Sequence, residues 1–147
     1  MVKDTLFGGY REHHRGVAWR VHQQWEIRMS GYVGWRVEAE VQPARMNELT
    51  ALMNEMVHST QEESGTLIYE WSFNSDSNVC HLTERYQDSD AALIHLGTFG
   101  QRFASRFFDL LNVKRIVIYG SPNDAVKAAL ADAKPEVMTQ KAGFSRI

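Results

Sequence analysis

Residues 33–41 alternate strictly. Val33, Trp35, Val37, Ala39 and Val41 fall on one face of an extended segment, and Gly34, Arg36, Glu38 and Glu40 fall on the other. A run of this kind is a half-buried strand, so the chain has to build a sheet with one apolar face. Pro43 cannot donate to a ladder but suits the first turn of a helix. Met46, Leu49, Leu52, Met53, Met56 and Val57 follow at three-and-four spacing and predict a helix to about Ser64, stopped by Gly65. Leu67, Tyr69, Trp71 and Phe73 then alternate with Thr66, Ile68, Glu70 and Ser72 as a second strand with an aromatic face. The turn-forming run 74–78 brings the chain back as a third strand, Val79 to Tyr86, antiparallel to the second.

Asp88 and Ser89 are placed to cap a short helix through Leu96. Gly97 and Gly100 interrupt it before a second amphipathic segment, with Phe99, Phe103, Phe107, Leu110 and Leu111 on one stripe, that ends near Asn112. Arg115 to Tyr119 is a short apolar run bounded by Gly120 and reads as a fourth strand. Ser121, Pro122 and Asp124 offer an N-cap, a proline at the first helical position and a carboxylate three residues after the cap, predicting a helix to about Ala131. Pro135 ends it, and Glu136 to Gln140 can add an edge strand.

Residues 1–31 lack any sustained period and hold four aromatics (Phe7, Tyr10, Trp19, Trp25) and three histidines (His13, His14, His22). They are a loose arm, an arm that orders against a neighbouring surface, or upstream sequence ahead of Met29. The expected organisation is an extension over 1–31, a core domain over 32–121, and a terminal helix and tail over 122–147. A length of 147 residues with 44% hydrophobic and 23% charged composition suits one globular domain. A formal charge of -2 gives no general attraction for a polyanion, so no nucleic-acid partner is expected. Cys80, the one cysteine, cannot form an internal disulfide, and no Cys/His spacing of zinc-finger type is present, so no metal is expected. With no apolar run near the roughly 20 residues that span a bilayer, and no secretory signal, the expectation is a cytoplasmic protein without a membrane partner.

The core order is strand, helix, strand, strand, helix, strand. This is the split βαβ of a ferredoxin-like α+β fold with an antiparallel sheet whose helices cover one face. The other face and the edges then want a partner, and a C2 homodimer with the two sheets face to face, a dimeric α/β barrel, supplies it.

The stretch from Val37 to about Tyr119 resembles the antibiotic biosynthesis monooxygenase domain, the quinol-monooxygenase-like group of dimeric α/β barrels. The matching features are Glu40-Val41-Gln42-Pro43 before the first helix, Glu62-Glu63-Ser64-Gly65-Thr66, the strand Tyr69-Glu70-Trp71, and Glu84-Arg85-Tyr86 followed by Ala92-Leu93-Ile94-His95-Leu96. The resemblance implies oxygenation of a phenol, quinol or polyketide-type substrate by dioxygen without cofactors, neither metal nor flavin. Such chemistry needs a base that deprotonates the substrate and a dry, aromatic-walled cavity in which the resulting anion gives an electron to dioxygen.

His95 matches the histidine of the family's Ala-x-x-His-Leu stretch and is the candidate catalytic residue, since an imidazole suits proton transfer near neutrality. Its plainer alternative is a helix-end histidine that complements the dipole or bonds a carbonyl. Where many relatives carry a second histidine, this chain has Thr98, Phe99 and Gly100. Tyr69, Trp71 and Phe73 on one strand face, with Phe99 and Phe103, are candidate walls for a planar ring, or plain core. Glu84 and Arg85 point to opposite faces, with Tyr86 on the Glu84 side and His81 on the Arg85 side. Arg85, or His81 on the same face, is the candidate substrate contact, for a phenolate, and the alternative is a cross-strand ion pair with Glu70 or Glu38 that serves a dimer interface. The rival functions are a non-catalytic barrel that binds a small ligand, and a haem-binding or haem-degrading relative. The latter is disfavoured by Arg85-Tyr86 where a tryptophan is expected.

Overall fold

The computed structural model describes residues 31–147. The predicted alternation becomes β1 (Val33–Val41), and its five apolar side chains are buried. A single 3-10 turn over Pro43–Arg45 leads into α1 (Met46–Gln61), which buries Leu49, Leu52 and Met56. The hairpin of β2 (Thr66–Phe73) and β3 (Val79–Tyr86) follows; its loop is closed by Asn74, whose Oδ1 accepts from the backbone N–H groups of Asn78 and Val79. Then come α2 (Ser89–Arg102), α3 (Ala104–Leu110), β4 (Leu111–Gly120), α4 (Asp124–Leu130) and the two-residue β5 (Glu136–Val137).

The sheet order is β2-β3-β1-β4-β5. The first four strands are antiparallel, as in a ferredoxin-like fold, and β5 runs parallel to β4 at its edge. The core lies between one sheet face and the helices: Val33, Trp35 and Val41 from β1, Leu82 and Tyr86 from β3 and Ile118 from β4 meet Leu52 and Met56 of α1 and Phe107 of α3. The sheet's other face is mixed: Val117 and Tyr119 share it with Arg36, Glu38, Glu40, Thr83 and Arg85. There Lys114 and Arg115 pair with Glu40 and Glu38 across the β1–β4 ladder, so the apolar half of the alternation is satisfied within one chain.

Three boundaries differ from the sequence expectation, each for a physical reason. Gly97 and Gly100 do not interrupt α2, which runs through both and breaks at Phe103, where φ reaches -122°. The helix accepts them although each costs roughly 1 kcal/mol relative to alanine. Leu111 to Lys114 form strand rather than helix: Leu111 and Val113 pair with Val41 and Ala39, and Lys114 bulges out between Val113 and Arg115. Leu110 is therefore buried as the end of α3 and Leu111 as the start of β4, which mimics one helical stripe in sequence. The last helix is capped by Asn123, whose Oδ1 accepts from the Val126 N–H at 2.9 Å, whereas the Ser121 N–H is committed to the Tyr32 carbonyl. The cap at Asp88 is as expected, with its carboxylate accepting from the Ala91 N–H at 2.9 Å.

Gly120 closes β4 at φ +86°, and a Cβ there would lie 2.1 Å from the Tyr32 carbonyl oxygen. Gly120→Ala should lower stability by at least about 2 kcal/mol through left-handed strain and backbone overlap, and Asp88→Ala by about 1 kcal/mol through the lost cap. Urea denaturation of both variants checks the order.

Candidate active site

Glu84 occupies a position where β3 otherwise places apolar side chains: Cys80, Leu82, Glu84 and Tyr86 are all buried on the core face. A carboxyl group there must find partners inside the protein. The Tyr86 hydroxyl donates to its Oε2, and His95 on α2 brings Nε2 to 3.3 Å of the same oxygen. Burial pushes the Glu84 carboxyl above its ordinary value, opposed by the His95 imidazole and by hydrogen bonds from Tyr86 and Trp35.

The second partner of His95 comes from the turn between α1 and β2. Gly65 lies so close to α2 that a Cβ would sit 2.5 Å from the Ala91 side chain, and its carbonyl accepts from the Gln87 N–H. That approach lays the turn against the first turn of α2 and sets Glu63 beside the next one. Glu63 Oε2 stands 2.8 Å from His95 Nδ1 and accepts from the Thr66 hydroxyl at 3.1 Å. Each ring nitrogen of His95 therefore faces a carboxyl oxygen, Nδ1 that of Glu63 and Nε2 that of Glu84. Desolvation favours the uncharged form of Glu84, which can donate toward Nε2.

Aromatic rings enclose this unit. Tyr86 and Tyr69 have ring centroids 5.2 and 5.5 Å from that of His95, and Trp35 lies 4.8 Å from Tyr86. Both phenols are pushed well above their ordinary range, chiefly by burial and then by the Glu84 charge, so they stay protonated. Tyr69 Oη, Trp71 Nε1 and Glu63 Oε1 are buried without a hydrogen-bond partner.

His95 and Glu84 both line a cavity of about 930 Å³ between the sheet and the helices. Trp35, Leu82, Phe99 and Phe107 supply apolar wall, and the exposed Asn112, Lys114 and Asp132 mark its open side. Of the residues singled out from sequence, His95 and Phe99 line the cavity. Tyr69 stacks behind His95, and Trp71 stands behind the wall with its ring 6.0 Å from that of Phe107. Phe73 packs against the core, and Phe103 is buried at the α2–α3 break beneath Arg102 and Arg106. Arg85 is on the opposite sheet face, 3.8 Å above the Tyr32 ring and bonded to the Ser145 hydroxyl. Glu63 and Glu84 were not among the sequence candidates. For Glu84 the signal was present, a carboxylate in an apolar alternation; for Glu63, which meets His95 across 32 residues, no spacing rule applies. Among the described residues no group of three or more His, Cys, Asp and Glu side chains is arranged to hold a metal ion, and no helix is long and apolar enough to cross a membrane.

Because the Glu84 carboxyl is raised in the folded chain above its ordinary 4.5, its protonation favours the native state. That advantage is complete below the unfolded value and disappears as pH rises through the folded one. Glu84→Gln, which keeps an acceptor for Tyr86 but cannot ionise, should therefore gain on the native protein as pH climbs from 4.5. Thermal melts of both between pH 4.5 and 9 should show the wild-type-minus-variant difference in Tm falling steadily; a flat difference contradicts the assignment.

A sequence profile of the family "Antibiotic biosynthesis monooxygenase" matches residues 33–105, the span that contains β1 to α2 and every member of the Glu63–His95–Glu84 group. No curated protein matches the chain. Among solved structures, MupZ from Pseudomonas fluorescens superposes with a TM-score of 0.70 at 26% identity, over 79% of this chain and 95% of that one. Rv0793 from Mycobacterium tuberculosis does so at 0.54 and 23% identity, over 64% and 98%. A Caulobacter crescentus protein named for the antibiotic biosynthesis monooxygenases gives 0.53 and 22%, over 66% and 93%. The latter two share the fold. On its profile match, and with the fold to carry it, this chain belongs to the antibiotic biosynthesis monooxygenase family.

Proposed function

We propose that this chain is a monooxygenase that needs no cofactor and acts on an aromatic phenol, quinol or polyketide-type substrate, with the Glu84–His95 pair as its proton acceptor. The observation that carries the proposal is a buried imidazole set between two carboxyl groups at the wall of a largely apolar cavity. A substrate hydroxyl or activated C–H placed against the pair gives up its proton, leaving an electron-rich anion. The pair then carries two protons, and the negative charge of Glu63 offsets the imidazolium so formed. Dioxygen oxidises the substrate anion: the reacting carbon gains one oxygen atom and loses two hydrogens, which leave with the second oxygen atom as water. The aromatic walls exclude bulk water from this sequence. The working unit is proposed to be a homodimer joined through the open sheet face, as the element order suggests.

A second reading rests on the same pair. Two carboxyl groups bridged by one imidazole are also complete equipment for proton transfer alone, such as isomerisation, without oxygen.

Oxygen uptake with anthrone or a naphthoquinol in metal-free buffer tests the first reading, and turnover of the same compounds under argon tests the second. His95→Ala should reduce oxygen uptake roughly 10²-fold or more, and Glu63→Gln should reduce kcat while leaving KM nearly unchanged. Uptake unaffected by His95→Ala removes the pair from the chemistry. Sedimentation in dilute solution decides the dimer.

A further inference from the structure

Two glycines in the middle of a helix need a reason. Some helical glycines are forced by a neighbour that a side chain would strike, as Gly65 and Gly120 are forced outside helices here. Gly97 and Gly100 are different: a Cβ at either would meet nothing within 4 Å. Neither has a positive φ, and α2 runs unbroken through both, so neither turn nor kink requires them. Alanine would favour the helix at both positions.

Both glycines line the cavity that holds Glu84 and His95. Along α2 the wall is contributed by Leu93, His95, Leu96, Gly97, Phe99 and Gly100, so side chains cover it except at the two glycines, which stand exposed on either side of Phe99 and offer only backbone. The two bare positions belong to the same wall as Phe107 and Phe108. The space left is large. An apolar cavity of about 150 Å³ already takes a benzene, and this one is about 930 Å³.

We propose that Gly97 and Gly100 are the specificity-determining residues of this site: by withholding side chains from the α2 wall they shape the cavity for a substrate of several fused rings, or a ring bearing a long apolar chain, rather than a single-ring phenol. The proposal rests on the assignment of this cavity as the substrate site made above, and it adds the size class of the substrate. The reacting group lies at Glu84 and His95, and the remainder of the molecule lies along the bare backbone of α2.

The test uses the full chain, its Gly97→Ala/Gly100→Ala variant and its Gly97→Leu/Gly100→Leu variant. Anthrone, with three rings, and phenol, with one, are the probes, and binding is followed by quenching of tryptophan fluorescence. The alanine pair should melt roughly 2–4 °C or more above the native protein, because no contact opposes the helix propensity. The leucine pair should fold with a Tm no lower than native, bind anthrone at least tenfold more weakly, and bind phenol within twofold of native. A fall in Tm for the alanine pair overturns the proposal, since the glycines would then serve packing. So does anthrone binding indifferent to the leucines, or an absence of anthrone binding by the native chain. Oxygen uptake is read separately: glycine-dependent binding without uptake leaves this inference standing and removes the monooxygenase reading.

Discussion

A single carboxyl group in the apolar face of a sheet sets the terms for the rest of the molecule. Glu84 shares its face with Cys80, Leu82 and Tyr86 and is itself buried, so its polar atoms are met by other parts of the chain. Tyr86 answers from two residues along the same strand, and His95 from α2. His95 in turn needs Glu63, which is in reach only because Gly65 lets the α1–β2 turn press against α2. Removing any one member strands another in a low-dielectric interior, which is why the group behaves as a unit rather than as three independent contacts.

The elements with one dominant period were legible in the sequence. The alternation of β1 and β2, the three-and-four spacing of α1, the Asn74–Asn78 turn and the order that defines the split βαβ all stand where the residues placed them. The failures share a cause, which is that two local signals overlapped. Leu110 and Leu111 look like neighbours on one helical stripe, although one closes α3 and the other opens β4. Gly97 and Gly100 look like breaks because propensity counts only the backbone, whereas α2 is held by the burial of Ala91, Ala92 and His95.

The site was legible to the extent that its chemistry was local. His95 stood out by residue type and by the motif around it. Glu84 was visible as an exception to its own strand pattern, but Arg85 beside it drew attention as the cation for a phenolate and lies on the other face. Glu63 could not be found by spacing at all, because the contact is made by tertiary packing of a turn. Most of the aromatic residues marked as ring walls form a layer behind the cavity instead: Tyr69 and Trp71 support His95 and Phe107 rather than facing a guest directly.

The short β5 bears on how copies of this chain can associate. It pairs with Val117 and Ile118 on the outer rim of β4, and the Met138 N–H continues the contact to the Ile118 carbonyl, so among the described residues the borders of the sheet are β2 and the two-residue β5. The two borders are unequal: β2 presents a rim eight residues long, whereas strand addition along the middle of β4 would first have to peel β5 away.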